Sequence, residues 1–192
     1  MERKGARVRP NMKIWDFITG CLRKQRADES RSEEDQKLRV RKYQRADRQA
    51  VLHIAESTFE GVCLDQNIEK AFGEVGQAWQ EHKKDGVDYD LSKNAENAFV
   101  AVKGNEVVGF VCNRLYHNRS LGHVANLAVK EESQGEGIGK ALMKASLNHF
   151  RQMGMQYVRI ETLVQNEKGQ HFYPGLGFKE IGRQIFYFKK LD

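Results

Sequence analysis

From residue 38 onward, the spacing of apolar positions divides the chain into alternating strand-like and helix-like stretches. Leu38-Arg39-Val40-Arg41-Lys42-Tyr43 alternates as a strand, and Asp47 opens a helix carrying Ala50, Leu52, Ile54 and Ala55. A second helix is predicted over residues 66–83, with Ile68, Ala71, Phe72, Val75 and Trp79 on one face, so Trp79 reads as core. Residues 84–95 read as a polar loop. A hairpin follows, with Ala98 to Val102 turning at Lys103-Gly104-Asn105 into Val107 to Cys112. Gly122 to Val129 forms another strand, then a glycine-rich run and a helix ending near Gly154. Tyr157 to Thr162 is a strand, Asn166 precedes a short helix, and Gly177-Phe178 and Ile185 to Phe188 supply two more strands. This order predicts an α/β domain over residues 38–192, a mixed, twisted sheet with helices on both faces.

The first 37 residues read differently. Residues 1–11 carry no periodicity and are expected to be disordered. In residues 12–26 the apolar residues Ile14, Trp15, Phe17, Ile18 and Leu22 recur at helical spacing, predicting an amphipathic helix with Gly20 as a weak point. Its apolar stripe is expected to cover a patch on the domain or on a partner subunit, as in a homodimer. Residues 27–37 form a charged linker.

Charge sharpens this division. The net charge of +6 is concentrated in residues 1–45, which hold 14 Lys/Arg against seven Asp/Glu, leaving about −1 on the rest. We read the basic segment as solvated rather than as a nucleic-acid or membrane contact. The near-neutral body does not suggest an acidic substrate. Cys21, Cys63 and Cys112 show no paired spacing, which suits a reducing compartment. No apolar run approaches the ~20 residues that span a bilayer, and no secretory signal opens the chain, so a soluble cytoplasmic protein is expected. His117, His123, His149 and His171 are scattered without metal-ligand spacing, and no metal is expected.

The chemistry concentrates in Gln134-Gly135-Glu136-Gly137-Ile138-Gly139-Lys140, between an apolar strand and a helix. Glycines there let a ligand approach the backbone, and the helix start offers outward N–H groups at its positive end, a cradle for phosphate. It is not a P-loop, because Gln134 stands where the first glycine belongs and Ala141 follows Lys140 in place of Ser/Thr. It is not a dinucleotide fingerprint either, because Lys140 takes the third glycine position. Gln134, Gly137 and Gly139 do satisfy Gln/Arg-x-x-Gly-x-Gly/Ala. Downstream, Asn166 precedes Tyr173 by seven residues, and Gly177-Phe178 follows at four and five beyond.

These two motifs, in this order, resemble the GNAT superfamily of acetyl-CoA-dependent N-acetyltransferases. The specific likeness covers residues 121–178, and the general layout covers residues 38–192. The resemblance implies a splayed sheet of about seven strands, with acetyl-pantetheine slipped between two of them. It places the pantetheine on Leu127, Ala128 and Val129, and the pyrophosphate on residues 134–140. Those residues are Gln134, Gly135, Glu136, Gly137, Ile138, Gly139 and Lys140, where Lys140 reads equally as an exposed helix residue. Asn166 serves as a cofactor contact, a helix N-cap, or both.

Amide formation needs a neutral amine and a proton for the departing thiolate. Tyr173 matches the family's proton donor, although Pro174 disfavours helical geometry at the residue before it. A packed aromatic is the other reading of Tyr173. Glu161 and His123 are rival bases, each able to act through water, and the sequence does not choose between them. The function implied is acetyl transfer from acetyl-CoA to a primary amine, on a small molecule or a protein N-terminus, by direct attack. Two alternatives stand beside it: a non-catalytic acyl-CoA-binding regulatory module, and an interaction protein using its basic N-terminal helix.

Overall fold

The structure, a computed structural model, describes residues 37–191. One five-stranded sheet has the order β1-β2-β3-β4-β5: β1 (Leu38–Lys42), β2 (Phe99–Lys103), β3 (Glu106–Tyr116), β4 (Leu121–Val129) and β5 (Tyr157–Ile160). Neighbours are antiparallel except β4 and β5, which run parallel. The helices are α1 (Arg48–Thr58), α2 (Leu64–Phe72), α3 (Trp79–Asn94), α4 (Ile138–Gln152) and α5 (Glu167–Phe172). No helix among these residues is long and apolar enough to cross a membrane.

Alternation along the strands divides the core in two. Val51, Ile54, Val87 and Leu91 of α1 and α3 pack with Phe110 and Ala128. Leu142, Met143 and Phe150 of α4 pack with Val111 and Val124. Adjacent Phe110 and Val111 thus serve opposite faces, as the period of a strand requires. The α4 side also buries a polar network: Asn113 donates to Ser146 and to the Asn97 carbonyl, and Asn97 meets the ring of His149. His149 is therefore structural.

Several expectations need correction. Asp47 stands at the N-cap position of α1, as expected, but its side chain caps no helix N–H. Its carboxylate is held by Arg41 and by the Gln44 N–H in the turn before the helix. The helix expected over residues 66–83 is two helices, because Gly73 and Gly76 adopt φ of 79° and 78°. The Gly73 N–H closes α2 on Glu69 O, and the Glu69 carboxylate accepts from the Trp79 N–H to begin α3. Phe72 and Val75 are consequently exposed, while Trp79 is buried as expected. The polar loop expected at 84–95 is the remainder of α3, extended by a 3-10 turn over 95–97.

The strands expected at Gly177-Phe178 and Ile185–Phe188 are absent, so the sheet has five strands rather than about seven. Gly177 turns the chain at φ 88°, and the Phe178 N–H bonds back to Tyr173 O, which diverts the backbone from a ladder. Beyond it the alternating side chains find no opposing face, and Ile181, Ile185 and Tyr187 stay exposed. Phe188 rests edge-on against Phe72, with ring centroids 5.1 Å apart. The helix expected at 12–26 lies outside the described residues.

Candidate active site

Parallel pairing between β4 and β5 stops at Val124↔Ile160, although β4 runs on to Val129. The two strands therefore part, leaving one edge of β4 open. Lys130 N–H donates to Val108 O on the β3 side (2.9 Å). Alternation of an antiparallel ladder then points the Ala128 backbone toward β3, and the Leu127 and Val129 backbones toward the open edge. Of the three residues expected to meet a cofactor, Ala128 presents no backbone group there, and its methyl belongs to the core.

The glycine loop follows directly. Gly135 and Gly137 adopt φ of 85° and 80°, and a Cβ on either would meet nothing within 4 Å. Their glycine requirement is thus conformational, with open space beside the backbone. Gly137 is the N-cap of α4, and the Gly137 carbonyl accepts the first helical bond from Ala141 (3.0 Å). Gly139 differs, because a Cβ there would lie 3.3 Å from the Phe172 ring. Ile138 is buried, so only its backbone is available, and Lys140 is exposed. Gln134 is a tether: its amide donates to Val129 O (3.1 Å), and its oxygen accepts from Lys168 (2.9 Å). Glu136, an anion in this loop, is paired with Lys103 at 2.7 Å.

The two candidate bases are in contact. His123 on β4 and Glu161, just past the end of β5, bring Nε2 and Oε2 to 2.7 Å. Arg159 Nε lies 2.7 Å from the other carboxylate oxygen, and the Tyr116 ring stacks over His123 at 6.2 Å. Burial holds the His123 pKa below the ordinary histidine range. Glu161 opposes that shift, while Arg159 and Arg114 add to it. His123 Nδ1 is buried without a hydrogen-bond partner.

Tyr173 sits at the end of α5 with φ −69° and ψ −43°. Pro174 has not displaced it from helical geometry, because proline begins the next 3-10 turn, where its missing N–H costs nothing. Burial between Phe172 and Phe178 pushes the Tyr173 pKa up to about 12, so the phenol stays protonated. Asn166 caps α5: Oδ1 accepts from Gly169 N–H (3.0 Å), while Nδ2 donates to Thr162 (2.9 Å).

One feature of the site has no counterpart among the predicted residues. Lys83 of α3 donates to Asn126 Oδ1 (2.6 Å), Asn126 donates to Asp90 (2.9 Å), and Asp90 accepts from Arg114 (2.7 Å). Arg114 is the cross-strand neighbour of His123, so the chain of contacts leads along one sheet face to the candidate bases. The available signal was the spacing Trp79, Lys83, Val87, Leu91, a helical stripe in which a lysine takes an apolar place.

Comparison with known proteins agrees with this geometry. Residues 48–178 match the acetyltransferase (GNAT) family. An N-alpha-acetyltransferase 30 from Schizosaccharomyces pombe is 35% identical over 103 residues, covering 52% of this chain and 69% of that protein. A mycothiol acetyltransferase from Saccharomonospora viridis is 32% identical over 111 residues, covering 58% of this chain but 36% of its own length. The PaiA N-acetyltransferase of Thermoplasma acidophilum, solved in complex with coenzyme A, shares the fold. Its TM-score is 0.61 at 21% identity, with 74% of this chain and 90% of that one covered. With its parted strands, its glycine loop and these relatives, the chain belongs to the GNAT acetyltransferase family and is an acetyl-CoA-dependent acyltransferase.

Proposed function

We propose that the protein transfers the acetyl group of acetyl-CoA to a primary amine by direct attack. The observation that carries this reading is the release of the β4 edge after Val124, immediately upstream of a loop with two positive-φ glycines. Leu127 and Val129 are suited to receive peptide-like amides on that edge, as an added strand would be received. The N–H groups of residues 135–140 are suited to the pyrophosphate. Acetyl-CoA supplies an activated acyl group as a thioester. His123, paired with Glu161 and held neutral by burial, accepts the proton of the acceptor ammonium, directly or through water. Tyr173 remains a protonated donor for the thiolate. Burial raises the Cys112 thiol pKa, which disfavours a cysteine-bound acyl intermediate.

The acceptor is a small-molecule amine or a protein N-terminus, and the likeness to an N-alpha-acetyltransferase puts N-terminal peptides first in the screen. Buried free Cys63 and Cys112 are consistent with a reducing cytoplasm. A thiol-release assay over peptides, polyamines, aminoglycosides and amino sugars tests the proposal. Amine-dependent release of CoA is expected with at least one class. Acetyl-CoA binding without release for any class would leave a binding module instead.

A further inference from the structure

Lys83 occupies an unusual position for a lysine. It follows Trp79 by one helical turn and precedes Val87 and Leu91 by one and two, on the stripe that α3 turns inward. Its ammonium lies 3.8 Å from the centroid of the Phe59 ring and donates to Asn126 Oδ1 at 2.6 Å. Asn126 immediately precedes Leu127, whose backbone faces the open edge of β4. The amine of Lys83 is therefore bonded to the side chain of the residue that immediately precedes the slot proposed above for the acetyl thioester.

We propose that Lys83 is an intramolecular acceptor, acetylated on Nζ by the acetyl-CoA that this slot binds. The inference rests on the acetyl-CoA reading of the slot. The ammonium first loses a proton to solvent. The neutral nitrogen then attacks the thioester carbonyl, a C–N bond forms, and the C–S bond breaks. The second amine proton leaves with the thiolate as CoA thiol, so no oxidant or further reactant is needed.

Two properties of the site favour this step over acetylation of a surface lysine. Burial disfavours the ammonium and lowers the Lys83 pKa, with Cys63, Asp65, Cys112 and Asp90 opposing the shift, so the neutral fraction rises. The amine is also fixed on Asn126 and over Phe59, and a positioned nucleophile gains over a free one. The product suits its surroundings, because an acetamide keeps an N–H for Asn126 and discards a charge that the interior disfavours.

The test incubates the full chain with acetyl-CoA and no acceptor, then maps acetyl-lysines by peptide mass spectrometry. Lys93, exposed on the same helix, reports background chemical acetylation. Calorimetry with CoA is run in parallel. Lys83 should be acetylated at least about tenfold faster than Lys93, and excess CoA should suppress the difference. CoA binding with no excess at Lys83, or an excess that CoA does not suppress, overturns self-acetylation and leaves the slot intact. Failure to bind CoA at all overturns the slot and the self-acetylation together. Lys83→Arg, which keeps the charge over Phe59, should bind CoA and lose that modification.

Discussion

His123 Nε2 and Glu161 Oε2 are separated by 38 residues of chain and by 2.7 Å in space. The two candidate bases thus form one unit, in which the carboxylate orients the ring and biases its protonation. Its influence on the imidazole is upward, against the downward pull of burial. Removing the charge in Glu161→Gln should therefore move the acid limb of kcat/KM to lower pH. If His123 is the base, turnover on the plateau should change little. A loss of about 10²-fold or more at every pH would make Glu161 the base.

The same histidine links pH to stability. Its folded pKa is below the unfolded value of about 6.5, so the unfolded chain binds the proton first. Its contribution to stability is complete above that pH and declines as pH falls toward the folded pKa. His123→Gln should flatten this part of the thermal-stability profile, measured from about pH 7 to pH 5.

Tyr173→Phe keeps the ring between Phe172 and Phe178 and removes only the hydroxyl. Turnover should fall by about 10²–10⁴ with little change in acetyl-CoA affinity. A variant with unaltered turnover would reduce Tyr173 to a packing role.

Gly137→Glu places a side chain and a negative charge where φ is 80° and the space beside the backbone is open. CoA binding by calorimetry should be lost, with a fold cost of about 1–2 kcal/mol from the left-handed backbone. Normal CoA affinity in this variant would move the phosphate site elsewhere.

Gly122 touches Phe150 of α4, and a Cβ there would lie 2.5–2.7 Å from the ring, including its root atom. Because Phe150 is fully packed, Gly122→Ala should destabilise the protein by about 1–3 kcal/mol in denaturant titration. It should also disturb the neighbouring His123, raising KM or lowering kcat beyond the loss of folded protein.

Local chemistry was legible where one stretch carried the whole signal. The β2–β3 hairpin, the glycine loop and the Asn166 cap each depend on residues close in sequence. Failures arose where a distant partner decides. Ile185 to Phe188 alternates as a strand does, yet alternation supplies propensity and not an edge to pair with. The break between α2 and α3 needed Gly73 and Gly76 together, while the apolar spacing across them mimicked continuity. The Lys83-Asn126-Asp90-Arg114 chain joins a helix to two strands, and no sequence window contains it. Tyr173 was placed by motif, whereas its helical geometry before Pro174 had to be seen.

The open edge beyond Val124 has a consequence for how the protein lives in a cell. A sheet that ends early on one side is completed, under the proposed binding mode, by a diffusible metabolite whose amides stand in for a strand. Part of the fold's cohesion then comes from outside the polypeptide, and it rises and falls with supply. Ligand at about 100 times its Kd adds roughly 2.7 kcal/mol, a large share of a typical domain's margin. The same molecule would thus be fuel and scaffold, and starvation for acetyl-CoA would thin the enzyme's population as well as slow its turnover.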